Sequence, residues 1–397
     1  LLRAGALIAV SCAASTFGGA LRTFAEGSIQ LPFENGARRF STFPQKRSLI
    51  LQRSWPPLLE TPMSVFEQGV FTPNDAFYVR WHLGSIPNEI DVAGFRLKIH
   101  GEVKNPLELS LEQLQHDFEP VQLAAVNQCS GNSRGFFSPR VAGGEWGNGA
   151  MGNALWTGIR LKDLLQRAGL KTSAVQVRFN GLDTGARPET PDFMKSLDLA
   201  HAMDGEVMVA YGMNDAPLPL LNGFPLRLVV PGWFATYWVK MLNDIEVIDH
   251  VDDNFWMKSA YLIPDTPEAN IKPGEKVKMV PINRMPPRSF ITNVPEGAKL
   301  HAPFEVDGIA FGGDAGIAKV MVSADNGAHW QIARLGSDYG IYSFRRWTAR
   351  LQPAHQGTTT LMSRAINLNG VAQPMQSNWN PGGYMRAVVE GVRVQVV

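Results

Sequence analysis

The sequence is poor in cysteine, with only Cys12 and Cys129 in 397 residues. So small a number rules out a disulfide-stapled scaffold, and without a C-x-x-C pair zinc ribbons are ruled out too. There is no C-x-x-C-H, so covalent c-type haem is also excluded. The eight histidines form neither an H-x-x-x-H nor an H-E-x-x-H pattern, which removes the common zinc hydrolases. A G-K-[ST] P-loop is missing as well. An excess of charge is lacking: Lys+Arg number 37 against 36 for Asp+Glu. That balance gives no reason to expect nucleic acid or an anionic membrane surface, so any preference for an anion must come from local arginines.

Long apolar runs are lacking too. Ala4 to Ala14 is a short stretch of small and apolar residues behind Arg3, and it is too short for a bilayer. It reads as the apolar part of an export signal over residues 1–25, with no membrane span elsewhere. Cys12 falls in that leader, which leaves Cys129 alone. A lone cysteine is a buried bystander, a reactive thiol or a metal ligand, and on composition alone the buried bystander is commonest.

Apolar residues make up 45% of the chain and charged residues 18%, enough for large cores and two or three domains. Residues 26 to 75 show little periodicity. Phe95–Val103, Val121–Val126, Val175–Phe179, Val207–Ala210, Leu226–Val230 and Ile245–Ile248 read as strands. Ser110 to Gln113 is a capping box opening a short helix. Leu161, Leu164, Leu165 and Ala168 have helical spacing, with Gly169 placed to end the helix. Strands and short helices alternate irregularly, which predicts an α+β catalytic domain over 26–263. A proline-rich connector follows over 264–295. Short strand-like runs at Phe304–Ile309, Ala318–Ser323 and Trp330–Leu335, separated by turn signals, predict an all-β immunoglobulin-like sandwich over 296–397.

Gly147 to Gly152 spells G-x-G-x-x-G. The residues before it read as loop and the next helix begins near Arg160, so the context of a dinucleotide site is missing. Three other segments carry more. They are Phe77-Tyr78-Val79-Arg80-Trp81-His82, the loop Asn127-Gln128-Cys129-Ser130-Gly131-Asn132-Ser133-Arg134, and Asn222 through Arg227 and Trp233 to Trp238-Val239-Lys240. Each sets a cation among apolar residues beside a loop. Taken singly, each cation is explained by a nearby carboxylate. Clustered with a lone cysteine, they make a shared anionic ligand the more attractive explanation.

These three segments resemble the sulfite oxidase family of molybdenum enzymes. Cys129 to Arg134 is similar to its C-A-G-N-R-R loop, Phe77 to His82 to its F-x-V-R-N-H segment, and Asn222 to Lys240 to its long cofactor segment. The resemblance covers about residues 60 to 397. It implies a molybdopterin domain, a sulfite oxidase-type fold, and a molybdenum centre held by a pyranopterin dithiolene with Cys129 as its protein ligand. It implies Arg80, Arg134 and Tyr261 as the substrate residues. It implies Tyr78, Val79, Arg80, Trp81, His82, Cys129, Asp183, Asn222, Arg227, Trp238, Val239 and Lys240 in cofactor binding. The activity implied is oxidation of sulfite to sulfate, the alternative being a reductase of the same fold acting on a sulfoxide or nitrate. With an export leader and no haem motif, the expected electron acceptor is a separate c-type cytochrome, as in bacterial sulfite dehydrogenases. A twin-arginine signal, a periplasmic location and a homodimer or a heterodimer with the cytochrome go with it. Four positions depart from the animal pattern: Ser133, Asn222, Tyr237 and Gly382. Gly382 stands where the family has a further substrate arginine, and Arg386 is the candidate replacement.

Overall fold

The computed structural model describes residues 28–30, 36–353 and 355–397. The expected export signal lies outside the described residues. The chain opens with five antiparallel strands in sequence order: β1 (Ser28–Gln30), β2 (Ala37–Phe43), β3 (Lys46–Arg53), β4 (Leu58–Glu60) and β5 (Val79–Arg80). Sequence periodicity does not reveal this sheet, because β-bulges at Ser41/Phe43 and Leu51/Arg53 break the alternation of side chains.

Two further sheets build the body of the first domain. One contains β6 (Leu97–Gly101), β7 (Leu107–Leu109), β10 (Gln176–Gly181), β11 (Lys195–Asp198) and β15 (Leu242–Ile248), in the order β11-β10-β15-β6-β7. The other runs β13-β12-β9-β8, from β8 (Val121–Gln128), β9 (Met151–Arg160), β12 (Met208–Met213) and β13 (Ala216–Pro217), with β14 (Arg227–Val229) paired to β12. Their inner faces share one apolar core, including Ile99, Val177, Ile245, Ile159 and Val209.

The α-helices are few and short: α1 (Leu111–His116), α2 (Leu161–Ala168), α3 (Leu199–Ala202) and α4 (Phe255–Lys258). The molecule is therefore mostly sheet, and the helical share of the α+β expectation is thin. In α1 the Ser110–Gln113 capping box is formed. In α2 the four residues of helical spacing are buried, and Gly169 closes the helix at φ +69°.

The proline-rich stretch is ordered. It holds the pair β16 (Leu262–Pro264) and β17 (Met279–Pro281), and also β18 (Arg288–Ile291). β18 pairs with β20 (Phe304–Phe311), so the sheet of the second domain starts before residue 296. That domain has two sheets. One is β18-β20-β24-β23 and the other β19-β26-β25-β21-β22, where β19 is Ala298–Leu300, β21 Ile317–Ser323, β22 Gln331–Ile332, β23 Arg334–Leu335, β24 Arg345–Leu351, β25 Gly357–Asn367 and β26 Gly391–Val396. Both sheets bury residues in a common core, among them Val306, Val320, Trp347 and Leu361. The run Trp330–Leu335 is divided between them, at β22 and β23.

The two domains join through an apolar cluster including Val126, Met151, Phe290 and Phe344. The backbone N–H of Val126 donates to Tyr342 O at 2.9 Å. The second domain thus braces the strand that delivers Cys129.

Candidate active site

β8 is buried along its second half and ends at Gln128, so Cys129 is the first residue beyond a fixed strand. Its N–H still donates to Ala150 O across the ladder at 2.9 Å, and its carbonyl accepts from Asn132 N–H at 3.0 Å. Asn132 holds the turn from within: its amide donates to Gln128 Oε1 at 3.2 Å and its Oδ1 accepts from Ala150 N–H at 3.0 Å. Residues 131–135 also spell G-x-S-x-G, but Ser133 is no nucleophile. Its hydroxyl donates to Asn148 Oδ1 at 2.6 Å and accepts from Arg288 Nη2 at 3.0 Å. Arg288, buried and paired with Glu390 at 3.2 Å, brings a cation to the back of the loop at the position where Ser133 lacks one.

Cys129 opens on a narrow cavity lined largely by cationic and polar side chains. Of the residues expected from sequence, Tyr78, Arg80, His82, Cys129, Asn222, Arg227, Lys240 and Tyr261 line it. Trp81, Trp238 and Asp183 lie behind the wall. The Trp81 ring sits 4.4 Å from Lys240 Nζ, and the Trp238 ring 5.7 Å from the Arg227 guanidinium. Val79 and Val239 point into apolar cores. Arg134 lines a neighbouring cavity. Sequence reasoning missed Asn127, Ser130, Phe193, Leu221, Ala235 and Thr236. Asn127, Ser130, Ala235 and Thr236 were within reach, because they fall inside the quoted segments. Phe193 carried no signal.

The cavity is charged and short of partners. Burial pushes Lys240 down to about 7 and Arg227 down to about 10, with Arg227 and Arg80 adding repulsion at Lys240. Asp183 is pushed up by the same burial, and Lys240 partly offsets this. His82 is held well below its ordinary value by burial and then by Arg80 and Lys240, so its ring stays neutral. It stacks on Phe193 at 3.6 Å and shares a hydrogen bond with the Tyr261 hydroxyl. Tyr261 adopts φ +59°, a conformation aromatic side chains rarely take, which marks a position fixed by its surroundings.

Arg80 Nη1, Asn127 Nδ2, Ser130 Oγ, Arg227 Nε and Thr236 Oγ1 are buried without a partner, and all belong to residues of this cavity. Buried donors left open in this number call for a polar or anionic occupant. The set fits molybdopterin: cations and donors for its phosphate and pterin, and a lone thiolate donor, Cys129, for a soft redox metal.

Arg80 also lines the second cavity, of about 380 Å³, together with Arg38, Arg53, Arg134 and Tyr384. Arg134 Nη2 donates to Gly382 O at 3.1 Å, and its guanidinium lies 5.1 Å from the Tyr384 ring. Cβ atoms built at Gly131, Gly143 or Gly383 would stand 2.5, 2.7 and 2.8 Å from that guanidinium, so glycine at these positions lets it lie where it does. Tyr384 stacks on Tyr261 at 5.2 Å, and the two cavities meet along this pair and Arg80. Arg386 does not reach either cavity. It pairs with Glu390 and packs 5.1 Å from the Phe136 ring, so it does not supply the arginine missing at Gly382.

A buried lysine from the first sheet supports the site. Lys46 Nζ donates to Asn74 O at 2.6 Å, to Phe77 O at 3.0 Å and to Asn222 Oδ1. Asn222 in turn donates to Tyr78 O at 3.1 Å. The residue that departs from the animal histidine is thus fixed in place by Lys46. Burial pushes both Lys46 and Lys195 down to about 7, from 10.5. Between these values the unfolded chain holds protons that the folded chain does not. Stability of the cofactor-free protein should therefore rise from about pH 7 to about pH 9.5, by on the order of 3 kcal/mol for each of the two lysines. Urea unfolding at the two ends of that window measures it, and a flat profile would mean that both lysines keep their charge in the fold.

A fold of this kind around a cysteine-lined cationic cavity is that of a molybdopterin-dependent oxidoreductase, and comparison with known families agrees. Residues 83–256 match the family described as oxidoreductase molybdopterin binding domain, and residues 280–396 match the Mo-co oxidoreductase dimerisation domain. The chain is 34% identical to the mitochondrial sulfite oxidase of Mus musculus over 85% of its own length and 64% of that protein's. It therefore spans somewhat under two thirds of the animal protein. It is 30% identical to the sulfite oxidase of Arabidopsis thaliana over 89% of its length and 96% of the plant protein's. The crystal structure of the sulfane dehydrogenase SoxCD from Paracoccus pantotrophus superposes with a TM-score of 0.74 at 25% identity, over 97% of this chain and 94% of that one. The chain belongs to the sulfite oxidase family of molybdenum enzymes. Its cofactor is molybdenum with molybdopterin. Among the described residues no helix is long and apolar enough to cross a membrane.

Proposed function

We propose that the protein oxidises sulfite to sulfate and passes the electrons one at a time to a c-type cytochrome. Sulfite and water become sulfate, two protons and two electrons. The observation that carries this reading is the meeting of Arg80, Arg134, Tyr261 and Tyr384 beside the Cys129 loop, with no carboxylate paired to either arginine among the described residues. Two unpaired guanidiniums and two hydroxyls suit a small oxyanion. When bound, the cofactor would supply two-electron redox chemistry at a metal. Cys129 would be its thiolate ligand, and Arg227, Lys240, Asn222 and His82 would hold the pterin. Arg80 and Arg134 would bind and orient the anion at the junction of the cavities. Neutral His82 would keep the Tyr261 hydroxyl aimed at it.

The export-like leader supports a periplasmic protein, and the dimerisation-type domain, read as an immunoglobulin-like sandwich, supports a homodimer or a complex with the cytochrome. A second reading is a sulfane substrate. The similarity to a sulfane dehydrogenase favours it. The experiment is reduction of cytochrome c by the molybdenum-loaded protein with sulfite. Sulfite-dependent reduction is expected. A loaded protein inert to sulfite but active on a sulfane donor would replace the first reading with the second.

A further inference from the structure

Gly382 has no side chain where the family places an arginine, and Arg386 is occupied elsewhere. The ring of Tyr384 fills the space that a Cβ at 382 would need, so a side chain at this position would have to displace that ring. Two cations, Arg80 and Arg134, remain near the reacting end of the outer cavity. A third lines its wall from the first sheet.

Cross-strand register shows how it gets there. Arg53 on β3 pairs with Leu58 on β4, and Leu58 pairs with Arg80 on β5. Directly paired residues share a face of the sheet, so Arg53 and Arg80 project to the same side, their Cα atoms roughly 10 Å apart across two strand spacings. The bulge between Leu51 and Arg53 is what permits this. Without it Gln52 would pair with Leu58 and Arg53 would turn to the opposite face. With it, neighbours Gln52 and Arg53 both line the cavity.

The cavity offers Arg53 no acid. Among the described residues Glu145 is the one carboxylate in its lining, and it is bound by Arg38 at 2.7 Å and by Arg140. Arg53 donates from Nε to Pro56 O at 3.2 Å, and no ion pair involves it among the described residues. Partial burial and then the nearby Arg80 disfavour its charge, so an anion between the two arginines would relieve a repulsion already present.

We propose that Arg53 is the outer substrate cation of this enzyme, a specificity-determining residue that takes over the work of the arginine missing at 382. It would draw a doubly charged sulfur oxyanion into the cavity and hand it to Arg80 and Arg134. This rests on the sulfite reading for its substrate, although the anion site itself does not.

The test compares the molybdenum-loaded wild type with Arg53→Gln and Arg53→Lys, in steady state with sulfite and by calorimetric binding of sulfate without turnover. For Arg53→Gln the KM for sulfite should rise about five-fold and sulfate affinity should fall by about as much, with kcat within about two-fold, as for loss of one partly exposed charged contact. Arg53→Lys should recover most of the KM, and the dependence of KM on ionic strength should flatten in Arg53→Gln. Unchanged KM and unchanged sulfate affinity in Arg53→Gln would overturn the proposal. So would a loss confined to kcat, which would mean a disturbed sheet rather than a lost anion contact. If the wild type does not oxidise sulfite, the functional reading fails on its own, and sulfate binding still decides the role of Arg53.

Discussion

Replacing Cys129 by serine should lower sulfite turnover by at least about 1,000-fold while leaving the fold intact, the scale seen when a directly reacting donor is removed. Serine is nearly isosteric with cysteine. The two backbone hydrogen bonds that fix the position, to Ala150 and from Asn132, do not involve the side chain. The loop should therefore keep its shape, and the substituted side chain would present a hydroxyl where the thiol stood. A hydroxyl is a harder donor than a thiolate, and it stays protonated where a thiol ionises, so it does not satisfy a soft metal. The pterin has separate holders in Arg227, Lys240 and the residues around them. Cofactor content should thus fall far less than activity. The measurement is molybdenum and pterin content beside cytochrome c reduction in Cys129→Ser. Retained cofactor with activity within about ten-fold of wild type would show that Cys129 is a bystander, the reading that composition alone favours.

The parts of the molecule legible in the sequence share a physical character: they are local. β8 shows as an apolar run and delivers Cys129 directly, and α1 and α2 carry their own caps. The three motif segments are contiguous, so seven of the residues expected at the cofactor do line the cavity. What was not legible depends on pairing between distant strands. β4 and β5 are three and two residues long, too short to show a period. The bulges in β2–β3 and β3–β4 shift the alternation that would have revealed the longer strands. Lys46, Arg53 and Tyr384 reach the site only through that sheet or through the far end of the second domain, and no local pattern announces them. Arg386 shows the converse: it lies four residues past Gly382 in sequence, yet Glu390, four residues further on, captures it. Gly147 to Gly152 is similar. Its N–H groups at Gly147 and Gly149 donate to buried Glu60 at 3.0 and 2.9 Å, so the glycines cradle a carboxylate of the chain itself and not a nucleotide.

Arg80→Gln should lower kcat/KM for sulfite by about 100- to 1,000-fold and should not destabilise the cofactor-free protein. The two halves of that expectation have one cause. Arg80 alone among the cations lines both cavities, so it touches the place where an anion must sit to react. Its Nη1 is buried and unpartnered, and no carboxylate pairs with it among the described residues. In the cofactor-free site repulsion outweighs attraction in number: Arg80 disfavours the charged forms of Lys240, His82 and Arg53, and it favours a charged carboxylate at Asp183 alone. Glutamine removes that repulsion and keeps a polar head of similar reach. A catalytic cation held against its neighbours' charge is a case in which function opposes stability, and its removal should expose the opposition. Arg80→Lys should recover little, because a point charge cannot reproduce a planar fork aimed at an oxyanion. Steady-state kinetics of the loaded variants and urea unfolding of the cofactor-free ones make the comparison. A large loss of stability in Arg80→Gln would instead make Arg80 a structural cation of β5, and the fall in activity would then say nothing about substrate. Loss of activity with stability unchanged or raised would locate the missing interaction in the reaction itself.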